Sequence, residues 1–214
     1  MGMRTWMLVH GKGDLKALLK NGPVLDRDAT TALLKRLFPS ERLQQLEDGD
    51  LCSPCPPKDE IVAGCFAGVT ILAAKEFALD RPSALPAQFI EALGDGRLVL
   101  HATHSVVDFC AFALWQDGAL LRSLSVSPDS GIMEDIGPRL PFEAPYWEGK
   151  HPALDPEEDD DDYPLAFHPL ELADAALLDF FGYQIEGDAG QLDPERIPLM
   201  QLRRKKSWWP FGQV

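Results

Sequence analysis

No apolar run in these 214 residues approaches the ~20 needed to cross a bilayer, which argues against a transmembrane segment. The amino terminus also falls short of a secretory signal: its apolar stretch ends at Val9, and Lys12 and Asp14 follow at once. A cytoplasmic protein is expected. Basic residues are scarce as well, with 20 Lys+Arg against 34 Asp+Glu and a formal net charge of -14. Most of such a surface repels phosphate backbones. General nucleic-acid binding is therefore not expected, whereas a basic partner, or mimicry of nucleic-acid charge, is allowed.

Cysteine is sparse, at four residues. Cys65 and Cys110 lie in strand-like runs and read as small buried apolar side chains. Cys52-Ser53-Pro54-Cys55 has the spacing of a metal knuckle or redox pair, but no second pair or neighbouring histidine completes it. Pro54, Pro56 and Pro57 make its setting a loop, not the helix start that activates a thiol. Gly11-Lys12-Gly13 stands between a strand and a helix, where amides can hold phosphate, yet the glycine patterns of P-loops and dinucleotide folds are missing. Asp14 already complements that helix start. The HxxH of His101 and His104 lacks a metalloprotease glutamate, and on a strand its histidines face opposite ways. No G-x-S-x-G elbow, EF-hand pattern or internal repeat is present. No cofactor is expected.

What is present is an ordinary globular composition, 45% hydrophobic, long enough to bury a core. The patterning predicts an α+β fold: a mixed, largely antiparallel sheet with a central hairpin at about 107–126 and four or so helices packed on it. Residues 5–9 read as a strand, followed by a short helix with Leu15, Leu18 and Leu19. Asp26 or Asp28 caps the next helix, whose Leu33, Leu34, Leu37 and Phe38 have helical spacing before Pro39. Residues 61–74 read as a strand or strand pair broken by Gly64 and Gly68. Pro86 opens a helix over 87–93 that Gly94 stops, and 97–101 is a strand. A core domain over 1–147 is expected to give way to an acidic linker at 148–166, centred on the self-repelling run 155–162. His168-Pro169 then opens a helix closed by Gly182, within a segment 167–200 that packs on the core. Residues 201–214 form a basic-aromatic tail, with Arg203 to Lys206 expected to return to the acidic linker and Trp208 and Trp209 to cover core.

The densest polar chemistry lies in the predicted hairpin. With Asp117-Gly118 as its turn, Gln116 pairs with Ala119, Leu114 with Leu121, Phe112 with Ser123, Cys110 with Ser125 and Asp108 with Ser127. Alternation then gathers Asp108, Cys110, Ser123, Ser125 and Ser127 on one face. The other carries Phe109, Trp115, Leu120, Leu124 and Val126, with Arg122 opposite Ala113. His104 extends the polar face. A turn at Ser127-Pro128-Asp129-Ser130-Gly131 brings Glu134 and Asp135 near. Candidate catalytic residues are His104, Asp108, Ser127 and Asp129, which supply the side-chain types of a hydrolase. Candidate binding residues are Arg122, Ser125, Ser130, Glu134, Asp135 and Trp115. The plainer reading is that Ser and Asp here cap their own turns.

Several stretches also resemble a bacterial family of unknown function. They are Thr5-Trp6-Met7-Leu8-Val9, Ala78-Leu79-Asp80-Arg81-Pro82-Ser83, His104-Ser105-Val106-Val107-Asp108 and Ala113-Leu114-Trp115. The most specific is Arg122-Ser123-Leu124-Ser125-Val126-Ser127-Pro128-Asp129-Ser130-Gly131-Ile132 with Glu134-Asp135-Ile136-Gly137, and Phe167-His168-Pro169-Leu170-Glu171-Leu172 extends the similarity. The resemblance implies a small soluble bacterial protein and brings no activity, cofactor or catalytic residue. The expected function is a non-catalytic binding or interaction protein of the accessory or immunity kind, with a protein or small-molecule partner. The alternatives are a small-molecule hydrolase and a metal-dependent regulatory domain.

Overall fold

The structure, a computed structural model, describes residues 4–52, 54–154, 163–185, 190 and 192–205. Ser53, the acidic run 155–162 and the residues from 206 onward lie outside the described residues, and with them the expected return of the tail to the linker.

A ten-stranded sheet runs through the molecule. In chain order its strands are β1 (Arg4–Gly11), β2 (Arg42–Gln45), β3 (Gly49–Asp50), β4 (Glu60–Phe66), β5 (Val69–Ala73), β6 (Arg97–His104), β7 (Phe109–Gln116), β8 (Ala119–Ser127), β9 (Gly131–Ile136) and β10 (Pro198–Lys205). Across the sheet they lie in the order β2-β10-β4-β5-β1-β6-β7-β8-β9, with the short β3 also on β10. The α+β class is as the patterning predicts, and every strand pairing is antiparallel.

Helices cover both faces. On one lie α1 (Leu15–Lys20), α4 (Ala144–Trp147) and α5 (Pro169–Phe181); on the other, α2 (Arg27–Leu37) and α3 (Ala87–Leu93). Alternation along the central strands divides the core accordingly. Met7, Val9, Val99, Phe112, Leu124 and Val126 pack with Leu172, Leu177 and Phe180 of α5. Leu8, Leu100, Ala111, Ala113 and Trp115 pack with Leu34 and Phe89 of α2 and α3. β4 is buried along its whole length, as a strand covered twice must be. The helix boundaries follow local chemistry: Asp26 accepts the Ala29 amide, His168 Nδ1 accepts the Leu170 amide, and Gly182 at φ 83° takes the left-handed cap of α5.

β10 departs from the expected tail. Its last residues form a strand inside the sheet, between β2 and β4. Arg203 pairs with Glu60, and Arg204 with Glu76 and Glu41 while lying over Phe38. The cations at 203 and 204 therefore bind the folded body, and the boundary drawn at 201 falls within a strand.

Gly137 closes β9 at φ 80°, and a Cβ there would collide with the Leu121 carbonyl oxygen. Gly137→Ala is expected to lower stability by roughly 2 kcal/mol in urea denaturation, the scale of one strained backbone position.

Candidate binding cleft

The β7–β8 hairpin turns where its sequence dictates. Asp117 and Gly118 both take positive φ, 50° and 81°, the pairing that matches a tight turn to strand twist. Gln116 opposes Ala119 and Trp115 opposes Leu120; then Leu121 is left without a partner in a β-bulge. Beyond it the expected register is displaced by one residue. Leu114 opposes Arg122, Phe112 opposes Leu124, Ala111 opposes Ser125 and Cys110 opposes Val126. This corrects the predicted faces. Cys110 leaves the hydroxyls for the α5 side, fully buried, where desolvation drives its thiol pKa up. Leu124 and Val126 go with it, while Phe109, Trp115 and Leu120 stay on the α2–α3 side with Ser123 and Ser125.

The serines serve the structure. Ser123 donates to Glu134, which also accepts the Ser83 amide at 3.0 Å and the Ser83 hydroxyl at 2.5 Å. Ser125 donates to the Asp80 carbonyl at 2.5 Å, and Ser127 Oγ accepts the Ser130 amide at 3.2 Å. These bonds fasten the connection around the 3-10 turn Pro82–Ala84 to the end of the sheet and hold the turn after β8. Satisfied buried hydroxyls of this kind are the ordinary state of polar groups in a core.

That fastening leaves a cleft of about 350 Å³, lined among others by Trp6, Asp80, His104, Val107, Phe109 and Met133, with Ser127, Asp129 and Ser130 on its rim. His104, Ser127, Asp129 and Ser130 are thus brought together. No hydrogen bond links His104 to Ser127, Ser130 or Asp129 among the described residues, and His104 Nδ1 is buried without a partner. Burial and nearby Arg4 lower the His104 pKa, which favours a neutral ring. Asp108 is not in the cleft. It takes φ 44° in the β6–β7 turn, with its carboxylate 3.5 Å from Tyr163 Oη and 3.6 Å from His168 Nε2.

The other candidates are placed otherwise. Arg122 is fully buried on the α5 side, where Nε and Nη2 bind Glu143 at 2.9 and 2.6 Å and Nη1 pairs with Asp135. Trp115 is core, and Glu134 is held by Ser83 and Ser123. A bulge carries no sequence mark as plain as Asp-Gly, so the register error was invisible in the chain. Nothing in the sequence marks Trp6, Asp80 and Met133 as site residues, because they come from three separate segments. Of the Cys52–Cys55 pair, Cys52 has its pKa pushed up to about 11 by burial and by Asp50, and burial also raises that of Cys55. Neither is an activated thiol. Among the described residues no group of three or more His, Cys, Asp or Glu is placed to hold a metal ion.

The model of a family described as "Family of unknown function (DUF6928)" matches residues 5–202. No curated protein matches, and no solved structure matches. No described helix is long and apolar enough to cross a membrane.

Proposed function

We propose that this chain, which belongs to the family of unknown function DUF6928, is a non-catalytic binding protein whose cleft takes an apolar, basic-flanked segment of a partner protein. One observation carries the reading. No hydrogen bond joins His104 to Ser127, and Asp108 is held away from the cleft, while apolar side chains at the same end are free. Ser123 and Ser125 donate their hydroxyls to internal acceptors, Ser127 accepts the Ser130 amide, and Asp108 lies against Tyr163 and His168. Val106 and Val107 are exposed at 71% and 46%, and Val107 lines the cleft with Trp6, Phe109 and Met133. Such a cluster marks an interaction surface. Asp80 and Asp129 supply the charge of the lining, on a chain of net charge -14, so a basic flank is favoured over an acidic one. Four free cysteines suit a reducing compartment, and we place the protein in the bacterial cytosol on that ground and on the family resemblance.

The test is cross-linked capture from the native host with the wild type, Val107→Asp, Asp129→Lys and a distant control, Lys16→Glu. A partner held by the wild type and the control but lost by both cleft variants is expected. Equal capture by all four, or none by the wild type, overturns the reading. The unpartnered Nδ1 of His104 beside Ser127 and Ser130 is what favours the second reading, a small-molecule hydrolase. Turnover of p-nitrophenyl acetate that disappears in His104→Ala would put that reading in place of the first.

A further inference from the structure

At the opposite end of the α2–α3 face lies a larger cleft, of about 460 Å³, between α2, the end of α3 and the β4–β5 turn. Its charged side chains are the cations Lys12 and Arg36, with His10 beside them and no aspartate or glutamate among the lining residues. That is unexpected on a chain with 34 acidic and 20 basic residues. Its walls are otherwise largely apolar, with Ala32 and Leu33 of α2, Leu93 of α3 and Cys65 of β4 on this side of the sheet.

The cations are not neutralised internally. Lys12 has no carboxylate within salt-bridge distance among the described residues; Asp117, which feels it at longer range, is bound to the Gly96 amide and to Gln116. Arg36 is exposed and gives one Nη2 bond to the Ala92 carbonyl at 2.5 Å, which fixes the guanidinium at the mouth without cancelling its charge. His10 Nε2 donates to the Asp95 carbonyl at 3.1 Å, and burial lowers its pKa, so the imidazole is neutral and leaves Nδ1 as an acceptor. Gly96 makes room for this arrangement: a Cβ there would come within 2.9 Å of His10 Nε2 and 3.3 Å of Lys12 Cγ. Asp26, the acid at the start of α2, is turned to the Ala29 amide as a helix cap.

We propose that this cleft is a binding site for a small amphipathic anion, a phosphate monoester or carboxylate carrying an apolar or aromatic body. The anionic group meets Lys12 and Arg36, the latter through planar N–H donors suited to paired oxygens. The apolar body lies against Ala32, Leu33 and Leu93. The volume is that of a small-molecule site, and a few placed polar groups over apolar walls are its usual composition. The site is separate from the cleft beside Trp6, and neither proposal depends on the other.

Phenyl phosphate is the probe, with inorganic phosphate and benzyl alcohol as comparisons, followed by calorimetry and by amide chemical shifts of the intact chain. Phenyl phosphate is expected to bind more tightly than either comparison and to shift the amides of residues 10–13, 65–70 and 92–96. Lys12→Ala and Arg36→Ala are each expected to weaken it about tenfold or more, as loss of a charge-assisted contact does, with Lys16→Ala unchanged. Both positions are exposed, and an unchanged thermal midpoint confirms that the variants fold. No binding at millimolar concentration, affinity equal to that of inorganic phosphate, unchanged affinity in both variants, or shifts confined to other regions would each overturn the proposal.

Discussion

Glu143→Ala is expected to lower the unfolding free energy by about 3–5 kcal/mol, the scale of breaking one partner out of a buried ion pair. Arg122 and Glu143 are both fully buried and bound through two N–H···O contacts. Glu143 also accepts the Leu140 amide at 2.8 Å and Trp147 Nε1 at 3.3 Å. Burial opposes the charge on Arg122, yet the Glu143 and Asp135 carboxylates raise its pKa, so the guanidinium stays ionised. Removing Glu143 leaves that cation facing Phe112 and Leu124 of the α5-side core with one remaining carboxylate, Asp135, whose side chain is 33% exposed. It also frees two N–H donors in the 140–147 segment. Urea denaturation measures the loss. Arg122→Met with Glu143→Leu is expected to recover much of it, because an apolar pair removes the desolvation penalty together with the attraction. A single-variant loss below about 1 kcal/mol would mean that water or a rearranged carboxylate replaces Glu143, and the pair would not be structural.

Much of the fold was legible because local chemistry and packing agree at its helices and turns. Asp26, Pro86, His168 and Gly182 mark helix ends, and Asp117-Gly118 bends the hairpin. What was not legible depended on contacts between distant segments. The bulge at Leu121 exists where β8 must meet β7 and, beyond Gly137, allow the chain to pass close to its own backbone. Nothing in the run Ala119 to Ser127 announces it, and a single added residue reverses every later side chain. β10 was hidden for a related reason. Arg203 and Arg204 read as a basic tail returning to the acidic linker, but each meets a carboxylate of the folded body, Glu60 or Glu76, that makes a charged strand tolerable inside the sheet. The candidate site was half visible: the turn residues Ser127, Asp129 and Ser130 do line the cleft with His104, whereas its aromatic and apolar walls come from segments far away in sequence.

Acidification is expected to destabilise the fold between about pH 6.5 and pH 4 through His101, a residue on the α5 side of β6. His101 is wholly buried. Its Nε2 lies 3.0 Å from the Ala173 carbonyl, an acceptor only, so Nε2 carries the proton; Nδ1, 2.6 Å from Thr5 Oγ1, then accepts the threonine hydroxyl. Burial is the leading cause of a pKa lowered from 6.5 to about 4, against a smaller opposing effect of the Ala173 bond. The sign follows from which state binds the proton first. Above pH 6.5 both states hold a neutral ring and nothing is lost. Below it the unfolded chain is protonated while the native ring is not, so stability falls until about pH 4 and then levels off. The full loss is about 3 kcal/mol. His10, whose pKa burial also lowers, acts in the same direction; Glu76, where burial raises the pKa but Arg204 brings it below the usual value, and exposed Asp117, lowered by Gln116 and the Gly96 amide, lose their contributions at lower pH still. Those effects are common to the wild type and His101→Gln, which retains a donor for the Ala173 carbonyl, so the difference between their stability–pH curves isolates His101. That difference is expected to narrow as pH falls from 6.5 to 4. A constant difference would show that His101 takes its proton within the native fold, and the neutral Thr5–His101–Ala173 chain would have to open to admit it.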